Sequence, residues 1–302
     1  MSLRLRLHPG DFAVLAILAL AVLVAAARLP ARGVALHGLL ALHAALLAGF
    51  AAFVAFAASH EQHRLVRILR PALIVSIVFT LYTSLGKLGV VAMPYMADAT
   101  LSRLDTWLTG VNPALAIQPL QTPGAVEFFS FVYGSFIPYI YLSIILGCLG
   151  RPPLERDQFM AGLAFTYAIS YVGYLFAPAT GPIVFHARDF RVALADGRFH
   201  DLVTRGVEST GGLQGAFPSL HVGASVYLCC FDLGTNRLRG LTYLPLVALI
   251  YVATVFLRYH YVIDLAAGTV IAMACVHLGR LAVLGWACDR RTAGLPAVPG
   301  GE

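Results

Sequence analysis

The sequence predicts an all-α integral membrane protein, a polytopic bundle of about eight helical spans, on two observations. Hydrophobic residues make up 59% of the 302 residues and charged residues only 12%, whereas an average soluble domain carries about 25% charged residues. Apolar runs of roughly twenty residues, the length that a helix needs to cross a bilayer, recur along the chain. The last six runs are expected to form one core. The eight runs lie at about 11–28, 34–58, 71–92, 124–149, 157–178, 217–233, 240–257 and 261–286.

The same pattern divides the chain into three segments. We expect accessory N-terminal spans over 1–69, a membrane domain over 70–288 and a disordered tail over 289–302, which is polar and rich in Gly and Pro. A signal peptide is the alternative for the first apolar run, but a second run follows at once, so we expect an uncleaved anchor. Between the third and fourth spans, residues 102–120 are mixed in polarity and broken by Pro113. This predicts a short amphipathic or re-entrant element in the membrane interface.

Charge and cysteine usage exclude several classes of partner. The formal net charge is +6, but the basic residues are scattered through loops without a dense run, so nucleic-acid binding is not predicted. The five cysteines lie in or beside apolar segments, at spacings that fit neither a disulfide framework nor a zinc site. We therefore expect no metal and no other cofactor.

The loop arginines predict the orientation of the spans. With eight spans, one side of the membrane carries most of the arginines in short loops, and the positive-inside rule makes this side cytoplasmic. Both termini are then cytoplasmic, while the long loop 179–216 and the turn at Arg258 face the extracytoplasmic side of a plasma or bacterial inner membrane. The arginines on the predicted cytoplasmic side are Arg4, Arg6, Arg64, Arg67, Arg70, Arg151, Arg156, Arg237, Arg239, Arg280, Arg290 and Arg291.

Two polar motifs lie where the predicted outer side meets an apolar span. One is GAFPSLHVG at 215–223 and the other is RYHYVIDLAAG at 258–268. In the second motif, His260 and Asp264 are four residues apart, so on a helix they share one face. The aspartate can accept a hydrogen bond from one imidazole nitrogen, which fixes the tautomer and leaves the other nitrogen as a nucleophile. The alternative is an Asp–His pair that only joins two helices.

The first motif can open a helix and hold a phosphate. Pro218 and Ser219 are residues that commonly start helices, and a helix start presents free N–H groups and the positive end of its dipole to an anion. The Ser219 hydroxyl adds a donor, and His221 can protonate a leaving alkoxide as a general acid. A plain helix start is the alternative for this motif alone. Its pairing with His260 and Asp264 on one side of the membrane favours chemistry.

Taken together, the two motifs resemble those of a known family. PSLH and HYVIDLAAG are similar to the second and third motifs of the type 2 phosphatidic acid phosphatase superfamily, and the resemblance covers roughly 70–286. It implies a helical membrane core that works without a metal, in which His260 is the nucleophile and forms a phosphohistidine. It also implies that His221 protonates the leaving group and that Asp264 orients His260.

Further residues resemble one branch of that superfamily. The leucine in PSLH, the form RYHYVID and the stretches APATGP and LDTWLTGVNP are similar to inositol phosphorylceramide synthase-like proteins. That branch includes transferases that pass a phosphorylated head group to a lipid alcohol. The resemblance therefore implies a lipid phosphatase if water is the acceptor, or a head-group phosphotransferase if an inositol-like or lipid hydroxyl is the acceptor.

The superfamily's first motif, Lys followed by six residues and Arg-Pro, is not found. Lys87 is followed seven positions later by Pro94 rather than by arginine. A transferring phosphoryl group needs cationic or N–H donors, and Arg258 is the first candidate because a guanidinium grips phosphate oxygens in a forked geometry. Two residues apart on one helix, Arg258 and His260 would point in opposite directions, so we expect the helix to begin near His260. The other expected phosphate contacts are Ser219, Gly215, Arg188 and Arg191.

An enzyme acting on a membrane lipid is the favoured function, above two alternatives. A transporter or channel would use His221, His260 and Asp264 as a proton or ion relay, but such a relay should continue through the bilayer, and these residues cluster at one face. An intramembrane serine protease is suggested by GAS at 223–225, although a serine motif of that kind normally ends in glycine, not Val226.

The expected substrate is a membrane lipid phosphate or phospholipid whose tails stay in the bilayer. Phe217, Tyr227 and Tyr261 lie on apolar faces and predict a lateral opening between the sixth and eighth spans. An alcohol is the candidate second substrate, and no nucleic acid is expected.

Overall fold

The computed structural model describes residues 7–61, 63–209 and 213–293, and within these ranges the chain forms helices and no strands. Arg4, Arg6 and the tail from residue 294 onward lie outside the described residues. In chain order the helices are α1 (Pro9–Arg32), α2 (His37–Ser59), α3 (Arg64–Ala92), α4 (Asp98–Thr109), α5 (Pro113–Ala116), α6 (Pro123–Gly134), α7 (Phe136–Leu149), α8 (Pro153–Phe176), α9 (Pro182–Phe185), α10 (Arg198–Ser209), α11 (Leu220–Thr235), α12 (Arg237–Phe256) and α13 (Val262–Thr292).

Six stretches among the described residues are long and apolar enough to cross a membrane. They confirm the predicted fold class, an all-α polytopic bundle, and they make the chain an integral membrane protein. The six stretches are Pro9–Ser59, Arg64–Ala92, Pro123–Leu149, Pro153–Phe176, Arg237–Phe256 and Val262–Thr292.

Several of the eight predicted spans differ from a single crossing helix. The first two form one stretch in which a 3₁₀ turn at Gly33–Leu36 joins α1 to α2. The predicted span 217–233 is α11, which has only 16 residues. At about 1.5 Å per residue it is about 24 Å long, shorter than the bilayer core of about 30 Å. The last helix is longer than expected, so that residues 289–292 of the predicted tail are helical.

At one end of the bundle, ion pairs connect the termini of neighbouring helices. The Nε atom of Arg70 in α3 lies 3.3 Å from Oδ2 of Asp11 in α1. Arg290, near the end of α13, donates to both carboxylate oxygens of Glu61, which follows α2, at 2.9 and 2.6 Å. We call this the basal end. The opposite end, at which α11 and α13 begin, is the apical end.

Shorter elements cover the apical end. Helices α4 and α9 pack against each other, α4 also contacts α13, and α10 packs on α6. The Ala97 amide at the start of α4 donates to the Pro178 carbonyl at 2.8 Å, which joins this layer to the end of α8. The interface element predicted over 102–120 consists of the second half of α4, the helix α5 and a 3₁₀ turn at Gln118–Leu120.

Helix α13 lies between α8 and α11, and glycines let these helices approach closely. A Cβ atom on Gly279 would lie 2.6 Å from Gly162 Cα in α8, and one on Gly268 would lie 3.3 Å from Gly223 N in α11. Small residues at such contacts allow backbones of membrane helices to pack directly. The start of α13 is therefore fixed beside the start of α11, which brings the two polar motifs together.

Candidate active site

His260 lies in the turn before α13, and its neighbours determine which ring nitrogen carries the proton. The Nδ1 atom of His260 lies 2.9 Å from the Ala216 carbonyl oxygen and 3.5 Å from Oδ2 of Asp264. Because a carbonyl oxygen can only accept a hydrogen bond, Nδ1 must donate. The other nitrogen, Nε2, then keeps a free lone pair, which is the form that a nucleophile requires. Sequence analysis missed Ala216, since a backbone acceptor leaves no mark in residue types.

Asp264 serves the helix as well as the histidine. Its Oδ2 atom accepts a hydrogen bond from the Tyr261 amide at 2.9 Å, which caps the start of α13. Its other oxygen is buried without a hydrogen-bond partner among the described residues. The carboxylate is fully buried, so both the capping bond and the nearby imidazole contribute to holding it in place.

His221 stands in the first turn of α11, facing the same cavity as His260. The centroids of the two imidazole rings are 5.7 Å apart. The His221 ring stacks on Tyr133, with centroids 4.4 Å apart, and lies 4.5 Å from Phe136. Its Nδ1 atom is buried and has no hydrogen-bond partner among the described residues. The aromatic rings thus fix the plane of an imidazole whose Nδ1 atom is not engaged by any described residue.

Ser219 acts as the cap of α11. The Val222 amide donates to the Ser219 hydroxyl at 3.4 Å, and the Ser219 amide donates to the Asp264 carbonyl at 3.2 Å. The residue is fully buried and does not line the cavity. Its placement matches the simpler of the two alternatives for this motif, a helix start, and its contact with phosphate stays a prediction.

Gly215 shapes the cavity wall through its backbone. Its φ of 102° lies in a region that residues other than glycine rarely adopt. A Cβ atom here would also lie 2.6 Å from the ring of Tyr174. The Gly215 amide donates to the Ala179 carbonyl at 3.0 Å, as does that of Ala216. The position therefore requires glycine, and its amide is already used within the protein.

Arg258 is turned away from the two histidines. As the spacing argument required, α13 begins after His260, and Arg258 lies in the preceding turn with a positive φ of 65°. Its guanidinium donates to Gln121 Oε1 and to the Val192 carbonyl, and it stacks on Phe190 at 3.9 Å from the ring centroid. Burial lowers the pKa of the guanidinium, which nevertheless stays a cation at neutral pH.

The other two predicted arginines lie in the apical loop. Arg188 and Arg191 are both exposed and neither lines the cavity. The Arg191 backbone amide donates to Gln118 Oε1 at 2.7 Å, which fixes the loop but not its guanidinium. The structure brings His221, His260, Asp264, Ser219 and Gly215 together and leaves all three arginine side chains outside this group.

A cavity of about 640 Å³ joins the two histidines. None of the described residues that line it is Lys, Arg, Asp or Glu. Its walls are aromatic and aliphatic, and its polar groups are hydroxyls, one amide and the two imidazoles. The polar lining residues are Tyr82, Thr83, Tyr133, Tyr141, Tyr167, Thr180, Ser209, Gln214, His221, Tyr259 and His260. This size and lining suit a largely apolar ligand with one polar group near the histidines.

Part of the cavity lining, on α7 beside α3, is exposed at the surface of the bundle. Phe79 of α3 and Ile137 and Tyr141 of α7 all line the cavity, and the last two are 51% and 46% exposed. The opening predicted between the sixth and eighth spans is wrong. There Tyr227 is fully buried with its hydroxyl bonded to the Phe159 carbonyl at 2.7 Å. The glycine contact between α11 and α13 closes the same seam.

Helix α10 forms the apical roof of the cavity. Leu202, Val203 and Gly206 line the cavity from above. Glu127 of α6 fixes the start of the roof, since its carboxylate accepts hydrogen bonds from the amides of Phe199 and His200, among them one of 2.9 Å. An amphipathic roof over an apolar cavity fits a site at the depth of lipid head groups.

The fold and the paired histidines together define a polytopic membrane protein with a histidine-based site at one end. A family model, described as PAP2 superfamily, matches residues 99–278. Because this is more than half of the chain, the protein belongs to the PAP2 superfamily. Membership indicates a membrane enzyme of the phosphatase type, in a superfamily of phosphatases and phosphotransferases. No curated protein and no solved structure matches the chain.

The matched region contains His221, His260 and Asp264 and lies inside the membrane domain predicted over 70–288. The boundaries of that domain, and of the accessory segment before it, stay predictions.

Proposed function

We propose that this protein cleaves a phosphate ester of a membrane lipid through a covalent phosphohistidine on His260. The observation that carries the proposal is the hydrogen bond from His260 Nδ1 to the Ala216 carbonyl, which leaves Nε2 as a nucleophile. The second imidazole, on His221, lies beside it in the same cavity.

In the first half of the reaction, Nε2 of His260 attacks phosphorus and forms a P–N bond. The bond from phosphorus to the ester oxygen breaks, and His221 donates a proton to that oxygen. Ala216 O and Asp264 stabilise the positive charge that grows on the His260 ring. In the second half, water or an alcohol attacks phosphorus, His221 takes its proton, and the P–N bond breaks to restore His260.

The uncharged lining favours a phosphodiester over a phosphomonoester. A diester carries one negative charge, whereas a monoester carries up to two near neutral pH because its second pKa is about 6. With no charged side chain among the described lining residues, burying the second charge is the more costly. The start of α11, which bears Leu220 and His221 on the cavity wall, contributes N–H groups and the positive end of its dipole.

This charge preference supports a head-group phosphotransferase of the inositol phosphorylceramide synthase-like type. In that reaction a phospholipid is the donor and an alcohol is the acceptor. Lipid enters from the bilayer between α3 and α7, where exposed residues of α7 line the cavity beside Phe79 of α3. We place the site on the extracytoplasmic side, because the arginine-bearing starts of α3 and α12 lie towards the basal end.

The test is turnover by the purified protein of matched lipid phosphomonoesters and phosphodiesters, with and without acceptor alcohols. We expect a diester to be the better donor, transfer to the alcohol to exceed hydrolysis, and a ³¹P signal of phosphohistidine in acid-free quenched samples. His260→Ala should remove all turnover, while the variant His277→Ala, at an exposed histidine of α13, should retain it. Full activity of His260→Ala would exclude the phosphohistidine.

A further inference from the structure

The stretch LDTWLTGVNP begins in α4, a helix with a buried polar face. Asp98, Ser102 and Asp105 follow one another at four and three residues on α4, so they share one side of the helix. Their exposures are 2%, 7% and 2%, whereas Trp107 on another side is 83% exposed. We call these three residues the capping face. Two buried carboxylates on one short helix are costly unless they are well bonded.

Asp105 binds the first turn of α13. Its Oδ2 accepts from the Val262 amide and its Oδ1 from the Ile263 amide, both at 2.8 Å. These are the first two residues of α13, directly after the turn that holds His260. With Asp264 on the Tyr261 amide, two carboxylates occupy the N–H groups that a helix start leaves free. This helix start is therefore bound by the protein itself and is closed to a substrate anion.

Asp98 binds the neighbouring loop from the same face. Its carboxylate accepts from the amides of Thr180 and Gly181 at 3.0 and 2.9 Å, and from the Tyr261 hydroxyl at 3.0 Å. Thr180 lines the cavity. A Cβ atom on Gly181 would clash with the Tyr259 carbonyl, so this loop packs directly against the turn that holds His260.

We infer that Asp105 is a positioning residue for His260, assisted by Asp98. The inference rests on the proposed phosphohistidine chemistry. By holding the first two amides of α13, Asp105 fixes where the preceding turn places the imidazole relative to Ala216 O and His221. A displacement of about 1 Å in a catalytic group can cost about 10²-fold in rate.

The charge of Asp105 is part of this role. Burial raises the pKa of its carboxyl group, and the hydrogen bonds from the Ile263 and Val262 amides oppose that rise. Charge-assisted bonds of this kind are shorter and stronger than neutral ones. An asparagine of the same size can accept from one amide, but its NH₂ group faces the other amide without an acceptor.

The central experiment is steady-state kinetics of Asp105→Asn in the full-length protein. We expect kcat to fall by about 10–10²-fold while KM stays within about twofold, because the substrate site is intact and only the nucleophile is displaced. The inhibition constant of vanadate, which imitates five-coordinate phosphorus, should rise by the same factor as kcat/KM falls. A merely structural cap would instead lower the folded fraction and the melting temperature and leave KM, and kcat per folded molecule, unchanged.

The matched control is Asp189→Asn. Asp189 is 56% exposed at its side chain and bonds His186, which in turn contacts Ser102 of the capping face. It touches the same network but not the start of α13, so its kcat should equal that of the wild type. If Asp105→Asn also has the kcat of the wild type, the inference is overturned.

Asp105→Glu tests the inference if Asp105→Asn does not fold, and hydrogen–deuterium exchange tests it if no lipid is turned over. If Asp105→Asn does not fold, Asp105→Glu keeps the carboxylate and shifts the helix start by one methylene. A lower kcat at constant KM supports the inference, and wild-type kcat overturns it. Hydrogen–deuterium exchange over 258–266 needs no turnover, so faster exchange in Asp105→Asn supports the helix-start bond even if no lipid is a substrate. Equal exchange rates in the two proteins would refute that bond, whereas an inactive wild type would refute only the proposed function.

Discussion

The Nδ1 atom of His260 lies closer to the carbonyl oxygen of Ala216, at 2.9 Å, than to Oδ2 of Asp264, at 3.5 Å. The carbonyl is a permanent acceptor, so it keeps the proton on Nδ1 whatever the charge of the carboxylate. The imidazole thus has two acceptors at one nitrogen, and Asp264 is not the sole group that orients it.

This geometry predicts a moderate effect of Asp264→Asn. We expect kcat to fall by about 10–10²-fold, less than the roughly 10⁴-fold loss in serine-protease triads, where the aspartate alone sets the tautomer. Ala216 O still holds the correct tautomer in the variant. The measurement is steady-state kcat, with the exposed Asp289→Asn on the same helix as control. A loss near 10⁴-fold would mean that the carboxylate, not the carbonyl, governs the ring.

His221→Gln should show its effect through the leaving group. With an alkoxide leaving group we expect a loss of about 10²–10⁴-fold, the usual contribution of a general acid. An ester of an acidic phenol needs no proton on departure, so its P–O cleavage should lose far less. Burst kinetics with both substrates measure the first step directly. Equal losses for the two leaving groups would assign His221 a role other than proton donation.

Ile137→Trp should narrow the route from the bilayer. The side chain lines the cavity and is 51% exposed between α3 and α7. We expect kcat/KM to fall for long-chain lipids but not for short-chain analogues, because the route matters only to a substrate with its tails in the membrane. Each buried methylene contributes about 0.8 kcal/mol to tail binding. Val270→Trp, on the outer surface of α13 at 68% exposure, is the control. An equal loss for both chain lengths would place lipid entry elsewhere.

Gly215→Ala should destabilise the loop before α11. Its φ of 102° is positive, and a Cβ atom would lie 2.6 Å from the Tyr174 ring. Because a side chain in a left-handed backbone costs about 1–2 kcal/mol, we expect the free energy of unfolding to fall by at least that amount. The melting temperature in detergent measures it. Gly285→Ala, where a Cβ atom meets nothing within 4 Å, should instead raise helix stability by up to about 1 kcal/mol. A neutral Gly215→Ala would show that the loop can shift without loss.

Several parts of the molecule were predictable because they depend on composition or on short spacings. The apolar runs give the membrane class and the long helices, since a bilayer accepts only stretches of that length and polarity. The four-residue spacing predicted that His260 and Asp264 lie close together, and in the structure Asp264 is in the first turn of α13 and His260 in the turn before it. The expectation that this helix begins near His260, with Arg258 in the preceding turn, was also correct, and it followed because two residues two positions apart on a helix do not share a face.

Other parts depend on contacts between distant segments, which leave no local pattern. No pattern of residue types indicates that the Ala216 carbonyl accepts a hydrogen bond from His260, because it is a backbone group. The direction of Arg258 follows from a positive φ and from partners at 121, 190 and 192. Likewise, the cavity is lined by residues of α3 and α7, which are far apart in the chain.

The sequence by itself determined that this protein is a helical membrane protein with two histidine motifs at one end of its spans. The length of an apolar run and helical periodicity are local properties of the sequence, so they are sufficient to predict these two features. Only the tertiary structure decided which acceptor holds His260, that Arg188, Arg191 and Arg258 do not line the cavity, and that Asp105 binds the start of α13 across 157 residues of chain. Those outcomes depend on how distant backbones pack, and the physical cost of leaving buried polar groups unpaired selects the partners.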